Sequence, residues 1–491
     1  MTRSENKPGV RRSMVVTTLS RYSVLIISLV STMALARLLT PAEIGIFSMA
    51  VVFVNLAHSM RDFGVGQYII QEKELTTERI RSAFGITLVI AWSMAILLAV
   101  AAPWTAGFYG DERVTEILRV LAINFALIPF GSVVLSYMRR EMQFTTIFLV
   151  AVSSEVIRAA SSIWFAWIGL GAMSLAWSAL LGVIATVALA RLLGPRHFVV
   201  RPEFREWRRV VGFGGQATLA TIALEFQRGA PDVIIGRYLS AAAVGFFGKA
   251  LSVIQLFDRT VLAAVHPVIL PHMSAKHRSG DSITDFYAHG LGLITALAWP
   301  FYAFVAIMAL PVVRILFGDQ WDAVVPLARI LSIYAAVNVL FAFAGQALVA
   351  VGAVHLLVRL RVATLLATIS ALALAVPQGL EAVAFAMVFP AAVGWLYSYW
   401  LMRSAIGLEF SIYARAIISS LLITAATAAL PMLHLWATAG VGQPLWQTFI
   451  IGAAGGGVGW LAAVIALRHP IWDELRLLFF HARNRVWPVS G

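Results

Sequence analysis

The chain has 491 residues, of which 60% are hydrophobic and 12% charged, with a formal net charge of +13 and no cysteine. Soluble globular chains carry about 25% charged residues, so the composition excludes a water-soluble domain protein. The missing thiols exclude disulfides, thiolate metal sites and cysteine nucleophiles. The excess Lys and Arg falls between apolar runs, the pattern of membrane loops and not of a nucleic-acid surface.

Arg11-Arg12 precede an apolar run that continues to about Leu39. That run is too long for a signal h-region and reads as an uncleaved first span. Apolar runs bounded by charge or by Gly/Pro predict an all-α integral membrane protein of about 14 transmembrane helices. The runs lie at 15–38, 42–63, 80–102, 115–138, 145–168, 171–192, 209–235, 240–264, 285–310, 323–350, 357–377, 380–402, 412–433 and 445–467. An even number places both termini on one side. The loops on that side hold most of the Lys and Arg, including Arg191, Arg196, Arg201, Arg205, Arg208 and Arg209. The positive-inside bias makes that side the cytoplasm. The tail "WDELRLLFFHARNRVW", with Leu475, Leu478 and Phe479 on one side, is either an amphipathic helix on the inner surface or a solvated tail.

One passage occurs twice. "ARLLTPAEIGIF" (36–47) returns 200 positions later as "GRYLSAAAVGFF" (236–247). Arg37 and Gly45 match Arg237 and Gly245, and Thr40 matches Ser240. "PWTAGFYGD" (103–111) likewise returns as "PVVRILFGD" (311–319), with Tyr109 facing Phe317. Apolar composition does not supply shared Arg, Gly, Pro and Asp, so the repeat reads as a duplication. Each copy holds six helices, and an even number gives two parallel six-helix lobes, the build of transporters with parallel repeats. The expected division is an N-terminal lobe at 1–200, a C-terminal lobe at 201–405, an extra helix pair at 406–468 and a cytoplasmic amphipathic tail at 469–491.

These residues carry a resemblance. "ARLLTPAEIGIF" and "FGGQATLATIALEFQRGAPDVIIGRYLSAAAVGFFGKA" resemble the lobe signatures of polysaccharide flippases in the multidrug/oligosaccharidyl-lipid/polysaccharide exporter superfamily. "VHPVILPHMSA" (265–275) is similar to that family's Pro-containing end of helix 8. The resemblance covers roughly residues 12–405. It implies a central cavity lined by helices 1, 2, 7 and 8. It also implies movement of undecaprenyl-diphosphate-linked sugar repeat units from the cytoplasmic to the outer leaflet of a bacterial inner membrane.

Charges within the spans cost about 2.5–3.5 kcal/mol each on insertion scales and usually face a cavity or a partner. The cations Lys249, Arg228, Arg259 and Arg61 are candidate contacts for a diphosphate. Lys249 has Met49 as its repeat partner, so its charge is no part of the shared scaffold. An ion pair with Asp232 or Glu225 is the other reading of Lys249. Arg228 follows Glu225 by three residues, close enough to pair on one helix face. Glu155 and Arg158 share that spacing and read as a neutralising pair. The carboxylates Asp232, Glu225 and Asp258 are candidates for ion coupling. Gly229 and Pro231 are a candidate hinge, because proline interrupts the helical ladder and bends or unwinds the helix. Arg37, Gly45, Arg237 and Gly245 read as a scaffold motif, each Arg suiting a helix C-terminus. Asp62 is a further intramembrane charge.

No cofactor is implied. "VGFGGQ" lacks a strand and the full dinucleotide fingerprint. His266 and His272 straddle two prolines without nearby carboxylates, so no metal site is expected. The expected partners are a lipid-linked oligosaccharide, membrane lipids and the polysaccharide polymerase and export machinery, with no nucleic acid. A multidrug or small-solute cation-coupled antiporter of the same fold is the alternative, favoured by the carboxylates. A membrane polymerase or ligase would need an outer loop that the chain lacks. Reporter fusions test the topology: those after residues 75 and 203 are expected to score cytoplasmic, and those near 110 and 318 outside. Reversal at both pairs would overturn the span count.

Overall fold

The computed structural model describes the backbone of residues 10–61, 65–195, 201–205, 207–439 and 442–476, and their side chains except at 10–14 and 207–221. Asp62, Arg196 and most of the expected amphipathic tail lie outside the described residues. The chain packs as two compact units, Met1–Gly248 and Lys249–Gly491. The elements described are helices, as hydrocarbon requires when it offers no partners for backbone N–H and C=O.

The first unit contains α1 (Val10–Leu38), α2 (Pro41–Arg61), α3 (Val65–Gln71), α4 (Thr77–Tyr109) and α5 (Arg113–Leu127). It continues with α6 (Pro129–Arg140), α7 (Phe144–Trp167), α8 (Met173–Leu193), α9 (Trp207–Tyr238) and the start of α10 (Ala241–Phe257). In the second unit a π-helical turn (Asp258–Leu262) leads into α11 (Ala263–Arg278), α12 (Thr284–Ile307), α13 (Ala309–Phe317) and α14 (Val324–Asn338). Then come α15 (Ala344–Ala350), α16 (Val354–Ala375), α17 (Leu380–Ala386), α18 (Val388–Ile406), α19 (Phe410–Ala437) and α20 (Leu445–Ala466).

Twelve helices among the described residues are long and apolar enough to cross a membrane; the pair α5–α6, bent by 48°, makes thirteen if counted as one span. About fourteen were expected. The remaining expected span, 209–235, falls in α9, which carries Glu225, Arg228 and Asp232. Large apolar side chains point outward from the spans, among them Trp104, Leu374 and Trp436. Such a surface suits lipid and would aggregate in water.

The repeat is legible in the packing. In the first unit α4 lies on α5, α5 on α8, and α7 on α8. In the second unit the positions related by the duplication pair in the same way: α12 on α14, α14 on α18, and α16 on α18. The extra pair α19–α20 docks on α12. Small residues permit this: a Cβ on Gly459 would lie 2.4 Å from the Ala426 carbonyl oxygen, and one on Gly292 would lie 2.9 Å from that of Ala416. Buried polar groups add interhelical bonds. The Thr295 and Ser420 hydroxyls are 2.8 Å apart, and Trp460 Nε1 donates to the Ala296 carbonyl at 2.9 Å. Without water, close approach and such bonds replace the hydrophobic drive between helices.

The duplicated passage contains two devices. The first is a helix start. Glu43 accepts from the Thr40 N–H (2.8 Å) and hydroxyl (2.9 Å), while the Glu43 N–H donates to the Thr40 hydroxyl at 3.3 Å. This is a capping box with Pro41 at the first helical position. The second copy keeps the hydroxyl alone: the Ala243 N–H donates to Ser240 Oγ at 3.1 Å.

The second device is a crossing of α2 and α10. A Cβ on Gly45 would lie 1.7 Å from the Ala241 carbonyl oxygen, and one on Gly245 would lie 2.1 Å from the Pro41 carbonyl oxygen. Pro41 and Ala241 are themselves repeat partners, so the two copies touch each other reciprocally, as in an isologous interface. Any side chain at either glycine forces the helices apart. Gly45→Ala and Gly245→Ala are each expected to destabilise the protein by about 1–3 kcal/mol, the usual cost of overpacking. Gly248→Ala, where a Cβ meets nothing within 4 Å, is expected to be neutral. Thermal unfolding in detergent checks this, and equal losses at all three positions would show that the crossing is not the cause.

Candidate functional site

The intramembrane charges fall into separate settings. On α9, Arg228 pairs with Glu225 at 3.1 Å, and the arginine is exposed while the carboxylate is mostly covered. An exposed pair of this kind contributes little stability, so the guanidinium can exchange its partner for another anion at small cost. One turn on, α9 runs helical through Gly229 and Pro231. The segment expected to bend or unwind is therefore not unwound. Gly229 has a packing reason of its own, since a Cβ there would lie 2.5 Å from Val52 Cγ1. Proline lacks only one donor, and tight packing on α2 holds the helix through that gap.

Asp232 lies near the end of α9, close enough for its charge to act on Tyr109. The Tyr109 hydroxyl is buried and has no hydrogen-bond partner among the described residues. Gly236 opens the space between these helices, because a Cβ there would lie 2.9 Å from both Met49 Cε and Tyr109 Cε1. Arg237 stacks its guanidinium over Phe108 at 5.5 Å. Arg37 turns back on its own helix, donating to the Met33 carbonyl at 3.3 Å, as a cation at a helix C-terminus should.

Lys249 is buried. Its Nζ lies 4.9 Å from the ring centre of Phe317 and 5.4 Å from that of Trp321. None of the ion pairs among the described residues involves it. The cation is thus held by aromatic faces, an attraction worth about 2 kcal/mol when desolvated. The duplication explains the position. Met49 sits beside Tyr109 in the first copy, and Lys249 sits over Phe317 in the second. The second repeat match aligned Tyr109 with Phe317, so the ring was visible in the sequence. Its role as a seat for the lysine was not.

Asp258 and Arg259 form part of the π-helical turn between α10 and α11. Both are exposed. Arg259 donates to Gln255 Oε1 at 3.2 Å, and the charge of Asp258 acts on Tyr302. The wider turn gives the backbone a local change of register, and π-bulges recur at functional sites. Arg61 ends α2 and lines a cavity together with α3, α4 and α6. Glu155 and Arg158 pair on α7, with Arg158 Nε 2.9 Å from Glu155 Oε2.

The loops that follow the repeated Pro…Gly-Asp passages hold their charges in closed pairs. Arg113 donates to Asp111 at 3.0 and 2.8 Å, and this bond holds the Asp111 carboxyl below the usual carboxylate range. Arg314 donates to Asp322 at 2.8 and 2.6 Å and lowers that carboxyl in the same way. These bidentate pairs staple the loops and leave little charge for a ligand.

With this geometry in hand, known proteins place the chain. Residues 34–326 match the family described as "Polysaccharide biosynthesis protein", and the chain belongs to that family. Among its relatives is the teichuronic acid biosynthesis protein TuaB of Bacillus subtilis (strain 168), 24% identical over 84% of this chain and 86% of the relative. The succinoglycan biosynthesis transport protein ExoT of Rhizobium meliloti (strain 1021) is 26% identical over 68% of this chain and 67% of the relative. The fold is that of the lipid II flippase MurJ in its inward closed conformation. The two share 12% identity and a TM-score of 0.72, covering 94% of this chain and 99% of that one.

Replacing a buried ion by a hydrophobe of similar volume is often neutral or stabilising. Lys249→Met installs the residue that the first repeat uses. It is expected to accumulate in the membrane at the normal level while polymer export falls roughly tenfold or more, the loss of one charged hydrogen bond. Normal export would make Lys249 a packing residue.

Proposed function

We propose that the protein is a flippase. It moves undecaprenyl-diphosphate-linked oligosaccharide repeat units from the cytoplasmic to the outer leaflet of a bacterial inner membrane by alternating access. The observation that carries this reading is the conjunction of the two likenesses. The chain belongs to a polysaccharide biosynthesis family, and its fold is that of a protein that flips a lipid-linked sugar. The relative from Rhizobium meliloti is named for transport in polysaccharide biosynthesis. The exposed cations Arg228 and Arg259 and the cavity-lining Arg61 supply charge for a diphosphate. Lys249, seated on its rings, is a cation held in reserve for the same head group.

In this reading both termini are cytoplasmic and the two lobes span 1–200 and 201–405. The transported unit passes to the polysaccharide polymerase and export machinery. Transport of this kind forms and breaks no covalent bond. A cation-coupled antiporter is the second reading, and it is favoured by Asp232, a carboxylate near Tyr109 with no cation paired to it among the described residues.

A diphosphate head carries roughly two negative charges, and moving each outward from a negative interior releases about 2.3 kcal/mol per 100 mV. The lobes' own cations travel little and do not cancel that movement. In vesicles containing the purified protein, a fluorescent polyprenyl-diphosphate oligosaccharide is expected to cross. Collapsing the potential at constant pH gradient is expected to slow it several-fold. An unchanged rate would favour electroneutral exchange through Asp232, Glu225 or Asp258. No crossing of the lipid, with uptake of a cationic drug instead, would favour the antiporter.

A further inference from the structure

Short α3 folds back against α6, and together with the end of α2 and part of α4 it encloses a cavity of about 510 Å³. That volume lies in the range of small-molecule sites. Its polar lining includes Arg61, Gln67, Gln71, Ser132, Ser136 and Arg139, with Thr87 donating its hydroxyl to its own helix. Among the described residues that line it, none is acidic. Apolar side chains from α3 and α6, among them Ile70 and Leu135, complete the lining.

Two consecutive arginines at the end of α6 have different tasks. Arg140 donates to the carbonyls of Ile69 at 2.9 Å, Ile70 at 3.4 Å and Lys73 at 3.4 Å, and also to that of Glu72. Those carbonyls close α3 and lack helical partners. Arg140 therefore fixes the cavity wall. Arg139, about 100° further round the helix, lines the cavity and is exposed. Its guanidinium takes part in none of the side-chain hydrogen bonds or ion pairs among the described residues. Two turns earlier on the same helix, Ser132 Oγ is buried without a hydrogen-bond partner among the described residues. A buried hydroxyl of this kind is costly unless something completes it.

Guanidinium groups, hydroxyls and amides without a carboxylate suit an anion with several oxygens, and the guanidinium fork matches phosphate in particular. The apolar part of the lining suits a hydrocarbon chain attached to it. This end of the unit also carries Lys73, Arg79, Arg81 and Arg140, so the positive-inside bias makes it cytoplasmic. We infer that the cavity is a loading site that binds the diphosphate and first isoprenoid carbons of the lipid-linked substrate on the cytoplasmic side. The assignment to a transported lipid rests on the flippase reading. The anion chemistry does not.

Equilibrium binding to the full-length protein in detergent tests it, with geranylgeranyl diphosphate, inorganic pyrophosphate and geranylgeraniol as probes. Geranylgeranyl diphosphate is expected to bind best. Arg139→Gln is expected to weaken it at least tenfold, the equivalent of one charged hydrogen bond. Arg139→Lys should lose less, because it keeps the charge but not the fork. Unfolding midpoints of both variants are expected to match the wild type, since Arg139 holds no wall in place. Wild-type affinity in Arg139→Gln and Arg61→Gln would overturn the inference. So would equal affinity for inorganic pyrophosphate, which would mark a site for free phosphates. Weakened binding with undiminished flipping by Arg139→Gln would overturn the loading role. Binding without any flipping by the wild type would overturn only the flippase reading.

Discussion

Hydrocarbon offers no hydrogen-bond partner and no screening ions, and every feature of this chain answers to that constraint. The backbone closes its bonds within helices. Interhelical affinity comes from glycine approaches and buried hydroxyls, as at Gly459–Ala426 and Thr295–Ser420. Charges are stapled in pairs at loops, as in Arg113–Asp111 and Arg314–Asp322, or they are given an unusual seat. Each departure from neutral packing within the spans is therefore costly, and the costly positions are where function is to be sought.

The duplication carries the architecture one step further. Residues shared by both copies make the α2–α10 crossing, where Gly45 meets Ala241 and Gly245 meets Pro41. Residues that differ between the copies carry the asymmetry. Tyr109 has Met49 beside it, whereas Phe317 and Trp321 receive Lys249. Lys249, Arg228 and Arg259 have Met49, Ser28 and Ser59 as their repeat partners, so these cations belong to one copy alone. The shared residues preserve packing, while substitutions such as Met49 to Lys249 change the charge within one copy.

Two neighbouring arginines show how residue type under-determines role. Arg139 and Arg140 have the same chemistry and adjacent positions, yet one spends its donors on the carbonyls that close α3 and the other faces a cavity. The same holds for the acidic residues. Glu225 has Arg228 as a partner on its own helix, while Asp232, two turns on, stands beside a tyrosine. Partner geometry separates structural from candidate functional charges, and sequence spacing resolves it only when both partners lie on one helix.

The amino-acid sequence by itself determined the helical class, most of the span limits, the duplication and the local pairs. Glu155–Arg158 and Glu225–Arg228 follow from a spacing of three. These are short-range facts, governed by helix geometry alone. Tertiary structure decided the rest: the aromatic seat of Lys249, the continuous helix through Pro231, the close approach at Gly45 and the cavity that Arg139 enters. The reason is physical. In water, the apolar stripe of a helix reveals its buried face, but in lipid both the packed and the exposed faces are apolar. Periodicity then cannot tell a neighbour from the bilayer, and only the folded chain shows which side chains meet.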